Sequence, residues 1–242
     1  YIIYALVNGN LYLIKLLSLF AGLFSTVIFF LLSKKMFENP LSFYISTTVF
    51  SILFGLPILE GNIANAENFM LLPIISAAYL IYSYLENKQR KKLIYAGLLL
   101  SIAVITKIVA VFDFAAFMTF ILFSSRVVIS NQNVRRFLDF FFFIILLLVI
   151  CFVFFLFLGI PKEFIGAVFL QNVSYVGEQN RFIFPMGILV IKTILLSVGL
   201  MIIFVNRTRI SKTSLFIYLW LIFSLYNAFF SERPYIHYSL VI

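Results

Sequence analysis

The sequence predicts an all-α polytopic membrane protein, a transmembrane helical bundle with about eight or nine spans. Of its 242 residues, 64% are hydrophobic and 11% are charged, whereas soluble domains carry about 45–50% apolar and about 25% charged residues. The mean hydropathy is +1.12. This composition excludes a soluble globular domain and a disordered chain, and the single cysteine excludes a disulfide scaffold.

Eight apolar runs of helical length mark the predicted spans, and a ninth begins near Tyr235. They cover residues 11–32, 41–59, 69–85, 93–106, 108–125, 137–159, 186–205 and 215–230. The chain begins without Met and ends within an apolar stretch. We therefore expect residues 1–242 to form one transmembrane domain, cut at both ends from a longer protein.

The basic residues predict the orientation of the spans. Most of the 18 Lys and Arg residues fall in every second connection. They are Lys34, Lys35, Lys88, Arg90, Lys91, Lys92, Arg126, Arg135, Arg136, Arg207, Arg209 and Lys212. The positive-inside rule makes these connections cytoplasmic, while most acids lie on the opposite side. The net charge of +9 then reflects membrane topology, and we expect no nucleic-acid partner.

Residues 93–125 predict a short membrane hairpin. Cytoplasmic basic residues flank both ends of this segment, so it must cross an even number of times. Its 33 residues are fewer than the roughly 40 that two full spans need. The tip near Thr106, Lys107 and Ile108 should therefore lie below the outer surface, with the lysine facing protein or a wet cavity. Alternatively, Lys107 extends its ammonium group to the interface.

The outer loop over residues 160–185 is the second irregular segment. Pro161 can begin a helix, and four apolar side chains then share one face. These residues are Phe164, Ile165, Val168 and Phe169. The pattern predicts an extracytoplasmic helix lying in the interface plane; a half-buried connecting loop is the alternative.

Polar residues able to support chemistry converge on the outer side. The candidate site residues are Glu60, Glu67, Lys107, Asp113, Arg233, Tyr235 and His237. Acids for general-base or metal work, with basic groups for a phosphate, suit transfer of a group from a phosphorylated lipid. No cofactor is indicated, but two acids near the site can hold a divalent cation.

Simpler roles exist for several of these residues. Glu67 begins a span, where an acid complements the helix N-terminus. Asp113 can neutralise Lys107. Arg233 and His237 can be interfacial anchors.

Three segments, GNIANAENFMLLPIISAAYLIY, AGLLLSIAVITKIVAVFDFAAF and RPYIHYSL, resemble the polyprenyl-phosphate-sugar-dependent glycosyltransferases of the GT-C class. The resemblance is to the branch with protein O-mannosyltransferases and the lipid A aminoarabinose transferase. There an acid begins the span after the second outer loop, matched by Glu67. A Leu-Thr-Lys-like triplet ends a short helix, matched by Ile105–Thr106–Lys107, and an Arg/His/Tyr cluster begins a late span, matched by Arg233 to Tyr238.

The resemblance implies an inverting glycosyltransferase in a bacterial plasma membrane, with its active site facing outside. It would move a sugar from a polyprenyl-phosphate donor to a protein, glycolipid or glycan acceptor. The donor phosphate would be held by Lys107, Arg233 and His237. The family's main catalytic Asp lies in the first outer loop and would precede Tyr1, so no residue here is a certain catalytic base, and Glu67 is a candidate only.

Two other functions remain open on the sequence. A transporter or lipid flippase would place polar groups near the bilayer midplane on interrupted helices, and the predicted spans carry almost no charge there. A non-catalytic membrane scaffold would leave Glu67, Lys107 and Arg233 far apart or facing lipid.

Overall fold

The computed structural model describes residues 8, 10–56, 64–125, 131–166 and 186–230, without the side chains of 131–133 and 144. Within these ranges the chain forms helices and no strand, which confirms the predicted all-α class. The helices are α1 (Leu11–Met36), α2 (Pro40–Gly55), α3 (Ala66–Asn87), α4 (Arg90–Thr106), α5 (Val111–Phe123), α6 (Asn131–Phe157), α7 (Pro161–Ile165), α8 (Gly187–Asn206) and α9 (Lys212–Ala228). A 3-10 turn over Ile108–Ala110 precedes α5.

Four of the described helices are long and apolar enough to cross a membrane: α1, α3, residues 134–157 of α6, and α8. Helices α2 and α5 are apolar but shorter. Few residues of α6, and none in the most apolar stretch of α8, are fully buried within the chain. Exposed apolar surface of this extent is unusual in soluble monomers, so the chain is a membrane protein.

The described residues form two compact units, and the boundary in sequence falls between Lys107 and Ile108. Unit 1 holds α1 to α4. Its central helix is α3, which packs against both α1 and α4, while α1 also packs against α2. Helices α1 and α2 run antiparallel, with the Ser33 and Thr47 hydroxyl oxygens 3.2 Å apart.

Ion pairs join both ends of α3 to its neighbours. Near its N-terminus, Glu67 pairs with Lys107, directly after α4. Near its C-terminus, Glu86 pairs with Lys35 in the last turn of α1, at 2.5 Å. Helix α4 is therefore antiparallel to α3, and α1 is parallel to it. Successive helices of unit 1 alternate in direction, as membrane spans joined by short connections must.

Unit 2 holds α5 to α9 and is packed largely through aromatic rings. Phe117 of α5 stacks on Phe216 of α9, with ring centroids 5.5 Å apart. On the α6 side, Phe114 stacks on Phe140 at 4.8 Å. Helix α8 packs against α9, and its Phe204 also contacts Phe123 of α5, with ring centroids 5.0 Å apart. The aromatic contacts bury much of α5, whereas α6 and α8 keep broad apolar faces exposed.

The short helix α7 begins at Pro161, the residue at which the sequence predicts a helix. The ring of Phe164 stacks on Phe155 of α6, with centroids 4.8 Å apart. The helix thus folds back onto α6. The remainder of the predicted amphipathic segment, including Val168 and Phe169, lies outside the described residues.

Candidate functional site

The structure describes three of the seven predicted site residues: Glu67, Lys107 and Asp113. The other four, Glu60, Arg233, Tyr235 and His237, lie outside the described residues. Glu67 and Lys107 belong to unit 1 and form a direct contact, whereas Asp113 belongs to unit 2.

Glu67 lies in the first turn of α3 and is almost completely buried, at 3% exposure. Its side chain is not the N-terminal cap of this helix. The cap is Asn65, whose Oδ1 accepts a hydrogen bond from the backbone N–H of Asn68 at 3.1 Å. The Glu67 carboxylate is instead directed to α4, although its place in the first turn still favours negative charge.

Lys107 follows the last residue of α4 and leaves the helical conformation. Its backbone is extended, with φ −154° and ψ 125°, while its N–H still donates to the carbonyl of Ala103 at 2.9 Å. The Thr106 hydroxyl donates to the carbonyl of Ile102 at 2.8 Å, a bond typical of a polar residue near a helix end. The helix therefore ends within the predicted tip, and Lys107 Nζ donates to Glu67 Oε1.

The two partners of this ion pair differ sharply in accessibility. The side chain of Glu67 is 4% exposed and that of Lys107 is 26% exposed. The carboxylate of Glu67 is therefore enclosed by protein, whereas the ammonium group of Lys107, which carries three N–H donors, lies on a side chain that is partly accessible. Glu67 thereby holds the ammonium group of Lys107 in place.

Helix α4 is too short to carry Lys107 across a bilayer. Its 17 residues rise roughly 25 Å, against a hydrocarbon thickness of about 30 Å, and any tilt shortens the reach. The positive-inside prediction puts the basic residues of its first turn at one surface, and Lys107 would then lie short of the other. A buried acid is what makes such a lysine tolerable in apolar surroundings.

Asp113 lies in the first turn of α5 and is buried, at 2% exposure. Its Oδ1 accepts a hydrogen bond from Trp220 Nε1 of α9 at 2.8 Å. Its Oδ2 has no hydrogen-bond partner within the described residues. Sequence reasoning missed Trp220, because it lies 107 positions away and a tryptophan in a membrane helix is by itself an ordinary apolar residue.

Within the ranges that the structure covers, no three His, Cys, Asp or Glu side chains come together. The described residues therefore contain no ligand cluster for the predicted divalent cation. Glu60, one of the two acids on which this prediction depends, lies outside those ranges.

Comparison with known proteins finds no matching family model, no similar curated protein and no similar solved structure. The resemblance to GT-C glycosyltransferases therefore stays a prediction, and functional interpretation depends on the chemistry of the site itself.

Proposed function

We propose that this chain is part of an integral-membrane glycosyltransferase that moves a sugar from a polyprenyl-phosphate donor to an acceptor on the extracytoplasmic side. The observation that carries the proposal is the contact between Lys107 and the buried Glu67. It supports a fixed cation short of one membrane surface, where the phosphate of a lipid-linked donor would lie.

The chemistry of the transfer gives this cation its role. As the acceptor oxygen bonds to the anomeric carbon, the bond from that carbon to the phosphate oxygen breaks, and negative charge grows on the departing phosphate. A preorganised ammonium group in a low-dielectric site stabilises that charge more than water does. Lysine acts on phosphate as a compact point charge.

The ion pair also stabilises the side chain of Lys107 before the donor binds. A lone lysine among apolar helices would be costly, and a neutral Lys–Glu pair is less so. Glu67 also restricts the ammonium group to one position, so that little side-chain freedom is lost when the donor binds. In the proposal Arg233 and His237 complete the phosphate contacts, Glu60 and Tyr235 contact the sugar or acceptor, and a carboxylate base takes the proton of the acceptor hydroxyl.

Sugar transfer in membranes containing the full-length protein tests the proposal. The variant Lys107→Gln removes the charge at the site, and Lys35→Gln is the matched control. Lys35 is also paired with a glutamate of α3 and has nearly the same exposure, 27%, but it lies at the other end of the helix. We expect transfer from a polyprenyl-phosphate sugar to fall about 10²–10³-fold in Lys107→Gln and to stay near wild type in Lys35→Gln.

Equal transfer by wild type and Lys107→Gln would overturn the assigned role. Movement of a lipid or solute across proteoliposomes without any sugar transfer would instead favour the transporter alternative. Monodisperse purification of each variant, in similar yield, separates loss of activity from loss of folding.

A further inference from the structure

The carboxyl group of Asp113 lies in an apolar, aromatic part of unit 2. It is buried between α5 and α9 and is 2% exposed. One turn further along α5, the fully buried Phe117 packs edge-on against the indole ring of Trp220, with centroids 5.0 Å apart. The group therefore has little contact with water.

The only hydrogen bond that Asp113 receives from a side chain in the described part of unit 2 comes from a neutral donor. The indole N–H of Trp220 satisfies Oδ1 at 2.8 Å, and Oδ2 is buried without a partner there. The titratable groups of the helices packed around α5 are Lys212, Tyr218 and Tyr226 on α9, Arg135, Arg136, Asp139 and Cys151 on α6, Lys192 on α8, and Arg207 directly after α8.

These groups form no ion pair with Asp113 within the described part of unit 2. Two of the cations have other contacts: Arg136 donates to the Ser125 hydroxyl at 3.3 Å, and Lys192 donates to the carbonyl of Phe229. An ionised Asp113 would therefore be a buried charge with no counter-charge among the described residues of this unit.

The free-energy cost of burying an unpaired carboxylate is larger than the stabilisation that the carboxylate gains from the helix N-terminus. A metal cation would need several oxygen ligands, and no cluster of acids surrounds Asp113 in the described ranges. We propose that Asp113 is a proton-binding site, with the proton on Oδ2 and the indole hydrogen bond on Oδ1. This proposal does not depend on the proposed glycosyltransferase function.

Loss of the proton would change how α5 packs against α9. The ionised carboxylate would need water or a cation beside Oδ2, an atom that is buried in the present packing of α5 against α9. Protonation thus holds the two helices together, as at the carboxyl groups of membrane proteins that couple proton binding to movement.

Infrared spectroscopy of the lipid-reconstituted chain at neutral pH tests this directly. We expect a carbonyl band of a protonated carboxylic acid, which is lost in Asp113→Asn and kept in Glu67→Gln, because the second substitution leaves Asp113 in place. Absence of any such band assignable to Asp113 would overturn the proposal. Asn has the shape of the neutral acid, so Asp113→Asn should fold.

A second measurement needs no variant. Dicyclohexylcarbodiimide enters apolar regions and reacts with protonated carboxyl groups. The acid proton moves to one carbodiimide nitrogen, the carboxyl oxygen bonds to the central carbon, and acyl transfer from oxygen to nitrogen then gives a stable N-acylurea. Mass spectrometry of the digested wild type should place this adduct on Asp113. Adducts on Glu67 or Glu163 with none on Asp113 would contradict the assignment.

Discussion

Two acidic side chains of similar burial are stabilised by different partners in this protein. Glu67 is 3% exposed and contacts the ammonium group of Lys107, whereas Asp113 is 2% exposed and contacts the neutral indole of Trp220. An opposite charge favours the ionised form of an acid, and apolar burial favours the neutral form. One acid is therefore suited to position a cation, and the other to hold a proton.

The coupling energy between Glu67 and Lys107 should exceed that between Lys35 and Glu86. The acid of the second pair is 48% exposed, and exposed pairs contribute about 0–1 kcal/mol. For the first pair we expect a coupling of about 2 kcal/mol, because removing either partner leaves the other poorly solvated. Double-mutant cycles with Gln replacements, read by reversible unfolding in mixed micelles, measure both values. Equal coupling in the two pairs would contradict this difference.

At the level of single residues, only part of the site can be predicted from the sequence. Glu67 and Lys107 were predicted as site residues because they lie at the ends of two consecutive apolar runs on the predicted outer side. The bond between Asp113 and Trp220 was not predictable, since it depends on how α5 and α9 are rotated against each other. Periodicity offers little help when a helix is apolar on nearly all sides.

The contact between α1 and α2 depends on a glycine. A Cβ atom added at Gly22 would overlap the ring of Phe54, whereas one added at Gly55 meets nothing within 4 Å. Gly22 lies inside α1, where Ala gains about 1 kcal/mol of propensity over Gly, whereas Gly55 is the last residue of α2, where this gain is smaller. The overlap with Phe54 is therefore specific to Gly22→Ala.

We expect Gly22→Ala to lower the free energy of unfolding by about 1–2 kcal/mol, since overpacking costs about 1–3 kcal/mol and propensity offsets part of it. Gly55→Ala should leave it unchanged or slightly higher. Unfolding of both variants in the same micelles checks this. A Gly22→Ala protein as stable as Gly55→Ala would show that Phe54 moves aside freely.

The apolar runs predict where these helices lie in the sequence, but they do not always predict the residue at which a helix begins. All eight predicted apolar runs overlap described helices, and four of the described helices are long and apolar enough to cross a membrane. Helices α3 and α9 begin three residues before their runs, at Ala66 and Lys212, because the polar caps Asn65 and Ser211 accept backbone N–H bonds there. Hydropathy reports burial in lipid, whereas a cap is a polar signal outside the run.

For the whole molecule, the charge pattern predicts a single orientation. Lys34 and Lys88 are exposed near one end of unit 1, where α1 and α3 end, and Asn8 precedes α1 at the other end. In a Cys151→Ser background, we expect an impermeant maleimide to label Asn8→Cys in intact cells and to label Lys34→Cys and Lys88→Cys only after permeabilisation. Labelling of Lys34→Cys in intact cells would reverse the predicted topology.

Composition was enough to predict a helical membrane protein, because few other structures tolerate so much apolar surface. It cannot indicate a reaction. Function depends on a few polar side chains, and here the described part of the chain brings two of the predicted ones, Glu67 and Lys107, into contact. The proposed sugar transfer requires that Lys107 binds the phosphate of a lipid-linked donor.

Solid-state nuclear magnetic resonance tests that assignment most directly. The full-length protein, with ¹⁵N-labelled lysine, is reconstituted with polyprenyl phosphate, and dipolar contacts between ³¹P and lysine ¹⁵Nζ are recorded. We expect one strong contact that disappears in Lys107→Gln and persists in Lys35→Gln. A bound lipid whose phosphate contacts no lysine, or whose contact survives Lys107→Gln, would contradict the account.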